Sequence, residues 1–121
     1  MTDEIIIFNS RDELLRQPIS KIVFFEADGN YTNIIMANKL RGSVLMNLSG
    51  IERSLAIQLG QKGSIFMRIG KSLIVNTLFI YRINIIKQKL ILSDCEHFAF
   101  ELSVSKEALK KVKEIVLQTK K

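Results

Sequence analysis

At 121 residues with 47% apolar side chains, the chain holds material for one core and is expected to fold as a single domain, 1–121. Eighteen Lys and Arg against twelve Asp and Glu give a net charge of +6, which favours a polyanionic partner through release of condensed counterions. No apolar run reaches the roughly 18 residues of a membrane span, the opening Met1-Thr2-Asp3-Glu4 is acidic where a signal peptide would be basic, and a lone Cys95 excludes an intrachain disulfide, so a cytoplasmic protein is the expectation.

In chain order, short runs rich in Ile, Val, Phe and Leu predict strands at 4–8, 13–16, 22–26, 31–36 and 40–45. The single proline, Pro18, marks a turn between two of them rather than a domain boundary. Between the third and fourth runs, Asp28-Gly29 has the composition of a tight hairpin turn, where a positive φ is needed. Leu48, Ile51, Leu55 and Leu59 then recur at helical spacing, and Ser49-Gly50-Ile51-Glu52 reads as a capping box that satisfies free N-terminal amides. This helix is expected to cover an open sheet face. Gly60-Gln61-Lys62-Gly63 reads as its C-cap and a following turn.

Further strands are predicted at 65–69, 80–86, 89–92 and 98–102. A second helix begins near Ser105, a good N-cap, and places Leu109, Val112, Ile115 and Val116 on one stripe with lysines opposite. Much of the positive charge sits in this tail, on Lys106, Lys110, Lys111, Lys113, Lys120 and Lys121. The pattern predicts a mainly β fold with two short helices, an α+β protein built on antiparallel sheet. Neither helix has a close partner joined by a short turn, so a helix-turn-helix is excluded and any reading of DNA falls to loops.

Enzyme readings lack their residues. His97 and Cys95, the only histidine and cysteine, supply neither the four ligands of a structural zinc site nor the third group of a nucleophilic triad. His97 reads as a surface or edge residue and Cys95 as a small core filler near a turn. No G-x-x-x-x-G-K-[ST] or G-x-G-x-x-G loop is present, so no catalytic residue, metal or nucleotide cofactor is expected.

Binding chemistry gathers instead in two distant segments, Phe24-Phe25-Glu26-Ala27-Asp28-Gly29-Asn30-Tyr31-Thr32 and Phe66-Met67-Arg68-Ile69-Gly70-Lys71-Ser72-Leu73-Ile74-Val75-Asn76. In each, an apolar run gives way to a short polar stretch and turns apolar again, which leaves donors on loops held by a rigid scaffold. Asn30, Thr32 and Asn33 set short donors and acceptors beside the hairpin turn, groups that can pair with adenine edges or phosphate oxygens. Arg68 and Lys71 flank Gly70, and two cations about a flexible backbone suit phosphate; the bland alternative is an exposed strand end. Val75-Asn76 reads as structural, the amide closing a turn on its own backbone. Ser105 and Lys106 open the second helix, whose free amides seat phosphate, although Glu107 would repel it.

Together the two segments closely resemble the LytTR family of bacterial DNA-binding domains, whose pattern runs from an E-A-x-x-N-Y-T element to an F-x-R-x-H-x-S-x-x-V-N element. Ser103-Val104-Ser105-Lys106 is similar to the family's V-S-R/K element, and the resemblance runs from about Pro18 to Ile115. It implies an elongated, antiparallel β architecture whose loops enter successive grooves of double-stranded DNA, and a role as a transcriptional regulator. It places Thr32 and Asn33 where base-contacting side chains project, and leaves Tyr31 as either a core aromatic or a phosphate donor. Gly70 stands where a histidine is usual, which makes Lys71 the better candidate for the groove contact. The implied DNA face is Asn30, Thr32, Asn33, Arg68, Lys71, Ser105 and Lys106. A homodimer on tandem sites, and a receiver domain or sensor kinase within a two-component system, are the further partners implied. The alternative is a small protein-interaction module that regulates a partner through a sheet edge without touching DNA.

Overall fold

The apolar runs fold as ten strands and two α-helices in the computed structural model, which describes residues 4–119. Met1, Thr2 and Asp3 of the acidic start and Lys120 and Lys121 of the basic tail lie outside the described residues. The chain divides into two compact units, Met1–Asn76 and Thr77–Lys121.

In the first unit, β1 (Ile5–Asn9) pairs antiparallel with β2 (Leu14–Pro18). Pro18 ends β2 and enters a short 3-10 turn, Ile19–Lys21, that leads directly into β3 (Ile22–Asp28), the turn role expected of it. Strands β4 (Tyr31–Met36), β5 (Arg41–Val44), β6 (Phe66–Ile69) and β7 (Leu73–Asn76) complete a five-stranded antiparallel sheet in the order β5-β4-β3-β7-β6. β7 is the strand the sequence pattern misses. All four of its residues are buried, so no polar alternation marks it.

One face of this sheet is covered by α1 (Leu48–Leu59), as the helical spacing predicts. Leu48, Ile51, Leu55 and Leu59 form one cluster with Phe25, Ile34 and Ile74 of the sheet and with Ile6 and Phe8 of β1. The Phe25 ring stands edge-on to Phe8 and Phe66, at centroid distances of 6.3 and 5.6 Å, a geometry that aligns ring edges with ring faces. The expected capping box is corrected. Asn47, extended at φ −83° and ψ 172°, is the N-cap and its Oδ1 accepts the Gly50 N–H at 2.8 Å, whereas Ser49 already lies inside the helix. The helix ends at Gly60 with φ +56° and ψ −130°, a positive-φ conformation that glycine adopts at least cost. Gln58 exchanges two hydrogen bonds with the backbone of Ile7, at 2.8 and 2.7 Å, and so closes part of the outer edge of β1.

In the second unit, β8 (Ile80–Asn84), β9 (Lys89–Ser93) and β10 (Ala99–Ser103) form an antiparallel sheet with β9 central. Leu90 and Leu92 are buried on β9, and α2 (Lys106–Thr119), which contacts β8, buries Leu109 and Val112. Ile115, expected on the same stripe, is 43% exposed, so the buried stripe is narrower than its spacing suggests. Between β9 and β10, Asp94 Oδ1 accepts the backbone N–H groups of Glu96, His97 and Phe98 at 2.9, 2.7 and 3.2 Å. Cys95 sits in this turn at φ +66° and is exposed, which corrects its reading as a core filler. His97 is exposed as expected, and its Nδ1 lies 2.8 Å from Asp94 Oδ2.

Candidate nucleic-acid interface

The β3–β4 hairpin closes on the pair Asp28 and Tyr31, leaving Gly29-Asn30 as a two-residue turn. Gly29 has φ +62° and Asn30 does not share the positive sign, the pattern of a turn with glycine at its first central position. A one-residue slip would turn every strand side chain to the other face, and the register is fixed by the burial of Phe25 and Ile34 opposite one another.

β7 runs antiparallel on the other side of β3, with Glu26 opposite Leu73. One step further on, the Ala27 N–H donates to the Ser72 carbonyl at 2.9 Å. The 70–72 turn between β6 and β7 therefore lies beside the hairpin tip, at one end of the five-stranded sheet. The segment after β5 reaches the same end, because Thr32 Oγ1 donates to the Met46 carbonyl at 2.6 Å. Two segments separated by some forty residues of sequence are thus brought together by strand pairing.

Individual side chains divide into those that face outward and those that build the end. Asn30 and Lys71 are exposed, and Lys71 makes no ion pair among the described residues. Thr32, where a base contact is expected, has no exposed surface, and its hydroxyl donates to the Met46 carbonyl. Asn33 is 8% exposed and its Nδ2 donates to Asp28 Oδ2 at 3.3 Å. Tyr31, left open as core or surface, is 49% exposed. Arg68 is already engaged: its Nη1 lies 2.6 Å from Glu52 Oε1 and its Nε donates to the Gly70 carbonyl at 3.0 Å. Asp28 and Glu26 add negative charge at this end, and Arg41 lies 3.9 Å from Glu26. Asn76, read as structural, is fully buried and donates to the Ile22 carbonyl at 2.9 Å.

Ser105 and Lys106 belong to the second unit and are exposed. Ser105 Oγ accepts the Ala108 N–H at 3.3 Å and its carbonyl accepts the Leu109 N–H, so the N-cap reading holds. Glu52 is the residue at the first unit's loops that the sequence reading assigned elsewhere. Its capping-box position concealed a partner sixteen residues away, and no local pattern reports such a pair.

A family model described as the LytTr DNA-binding domain matches residues 12–117. The chain belongs to the LytTR family. Its general activity is therefore that of a DNA-binding domain in transcription regulation. Among solved structures, the LytTr DNA-binding domain of a protein described as a methyl-accepting/DNA response regulator from Bacillus cereus superposes with a TM-score of 0.63 at 21% identity, covering 95% of this chain and 98% of that one. At that identity the likeness concerns the fold, which is the LytTR fold expected. No curated protein matches the chain. Among the described residues, no helix is long and apolar enough to cross a membrane, and no group of three or more His, Cys, Asp and Glu could hold a metal ion.

Proposed function

We propose that this LytTR chain binds double-stranded DNA through loops inserted into its grooves, with Asn30 and Lys71 as the groove contacts and Ser105 and Lys106 as phosphate contacts. The observation that carries the reading is the pairing of Ala27 with Ser72, which sets the exposed Lys71, without an ion pair among the described residues, beside the exposed Asn30. A cation next to an amide is the combination that joins phosphate attraction to base-edge recognition. Asn33 steadies the hairpin behind them through Asp28. The same reading gives a cytoplasmic regulator, two copies acting on tandem sites, and a receiver domain answering a sensor kinase as its signalling partner.

Fluorescence anisotropy with a selected duplex and a random duplex, across a salt series, tests it. Lys71→Ala should flatten the slope of log K against log salt by about 0.9 if one phosphate contact is lost, and should also relax base preference if the side chain enters a groove. Unchanged affinity at low salt would remove Lys71 from the interface. Binding to a protein partner with no salt-dependent affinity for either duplex would favour the sheet-edge module instead.

A further inference from the structure

We infer that Glu52 and Arg68 form a strut from helix α1 that positions Lys71, so that Arg68 acts through the loop rather than on DNA itself. The inference rests on the DNA-binding reading above and names two positioning residues for it.

The 70–72 turn has little packing of its own. Gly70 stands at φ +61° with nothing within 4 Å of where a Cβ would lie, and Lys71 and Ser72 are exposed. Its conformation is therefore set from outside, on one side by the Ser72 carbonyl bound to Ala27 and on the other by the Gly70 carbonyl bound to Arg68 Nε. Gly70 is the residue immediately before Lys71, so the second bond fixes the peptide from which the lysine departs.

Arg68 is fixed in turn. Its Nη1 meets Glu52 Oε1 at 2.6 Å, and the same cleft is walled by Leu55, Ala56, Phe66 and Ile74. The planar guanidinium holds two acceptors in one rigid fork, a carboxylate on the helix and a carbonyl on the turn, which a lysine ammonium cannot do with the same geometry. The guanidinium side chain is 31% exposed and the carboxylate 47%, and half-exposed ion pairs contribute little to stability. A role in holding the turn accounts for the pair better than a role in holding the fold. A carboxylate at 2.6 Å also neutralises the charge that a phosphate contact by Arg68 would need.

The sign of one substitution separates the strut from plain electrostatics. Glu52→Gln removes a negative charge, which by long-range attraction alone should strengthen DNA binding, and would also release Arg68 to reach phosphate. The strut demands the reverse: duplex affinity should fall about tenfold, the size of one lost base-edge contact, with the salt slope flattened as in Lys71→Ala. In the Lys71→Ala background, Glu52→Gln should then have no further effect, because the two changes disable one contact. Backbone relaxation by NMR supplies a readout that needs no DNA. Order parameters of 70–72 should drop from about 0.85 toward 0.6 in Glu52→Gln while those of β6 and β7 stay rigid. Tighter DNA binding, additive losses with Lys71→Ala, or an unchanged loop order would each overturn the strut. A wild-type chain without duplex affinity would refute the DNA reading instead, and the relaxation data would then decide the strut by themselves.

Discussion

Asn76 has no exposed surface, and its amide ties the end of β7 to the Ile22 carbonyl at the start of β3. Removing a buried donor leaves that carbonyl short of a partner, at a cost of about 1 to 3 kcal/mol. Asn76→Ala should lower the melting temperature clearly, while the folded fraction keeps the wild-type ranking of DNA sequences; wild-type melting with lost affinity would move Asn76 onto the interface. Asp94 provides a second residue-scale test, through pH. Burial pushes its carboxyl up, but three backbone N–H donors from His97, Glu96 and Phe98 and the His97 side chain outweigh it and hold the group well below the ordinary 3.8. A carboxyl depressed in the folded state adds stability that is fully present above its unfolded value and is lost as pH falls. Asp94→Asn should therefore be less stable than wild type at pH 7, with the gap narrowing as pH drops below 3.8. A gap of constant size in denaturant titrations down that range would show that the charge contributes nothing.

Helix α1 starts at a cap other than the one its sequence pattern points to. Ser49-Gly50-Ile51-Glu52 has the spacing of a capping box, yet Asn47 is the residue held extended outside the first turn, with its side chain on the Gly50 N–H. Asn47→Ala should cost about 1 kcal/mol, whereas Ser49→Ala, inside the helix, should cost a few tenths at most. Equal losses in chemical denaturation would restore the capping box. Elements were legible where a local rule governs them: the Asp28-Gly29 hairpin, the apolar spacing of α1, the Ser105 cap of α2. Elements governed by distant partners were not. β7 lacks alternation because both its faces are buried, and Thr32 looks like a projecting polar residue until the Met46 carbonyl, fourteen residues away, takes its hydroxyl. The site divides the same way. Asn30 and Lys71 are recognisable as exposed polar groups at turns, but Arg68 and Glu52 declare themselves only through each other.

At the scale of the whole chain, the charges are unevenly committed. Met1–Asn76 carries nine Lys and Arg against seven Asp and Glu, and Thr77–Lys121 nine against five. In the first unit Arg11, Arg41, Lys62 and Arg68 each face a carboxylate, while in the second, among the described residues, Lys106, Lys110, Lys111 and Lys113 do not. If the loops proposed to enter the grooves carry the binding, so few uncommitted groups make a small interface, of the order of 600 to 1,000 Å² for a single DNA-binding module. Modest affinity for one site follows, and a second copy on an adjacent site raises it only if both meet the same side of the duplex. B-DNA repeats every 10 to 10.5 base pairs, so two sites one helical turn apart present matching faces and sites offset by half a turn do not. Sedimentation and anisotropy with the full chain should show higher per-copy affinity on a tandem duplex with whole-turn spacing than on one site, and the gain should vanish when about five base pairs are inserted. Equal per-copy affinity on all three duplexes would mean that each chain acts alone.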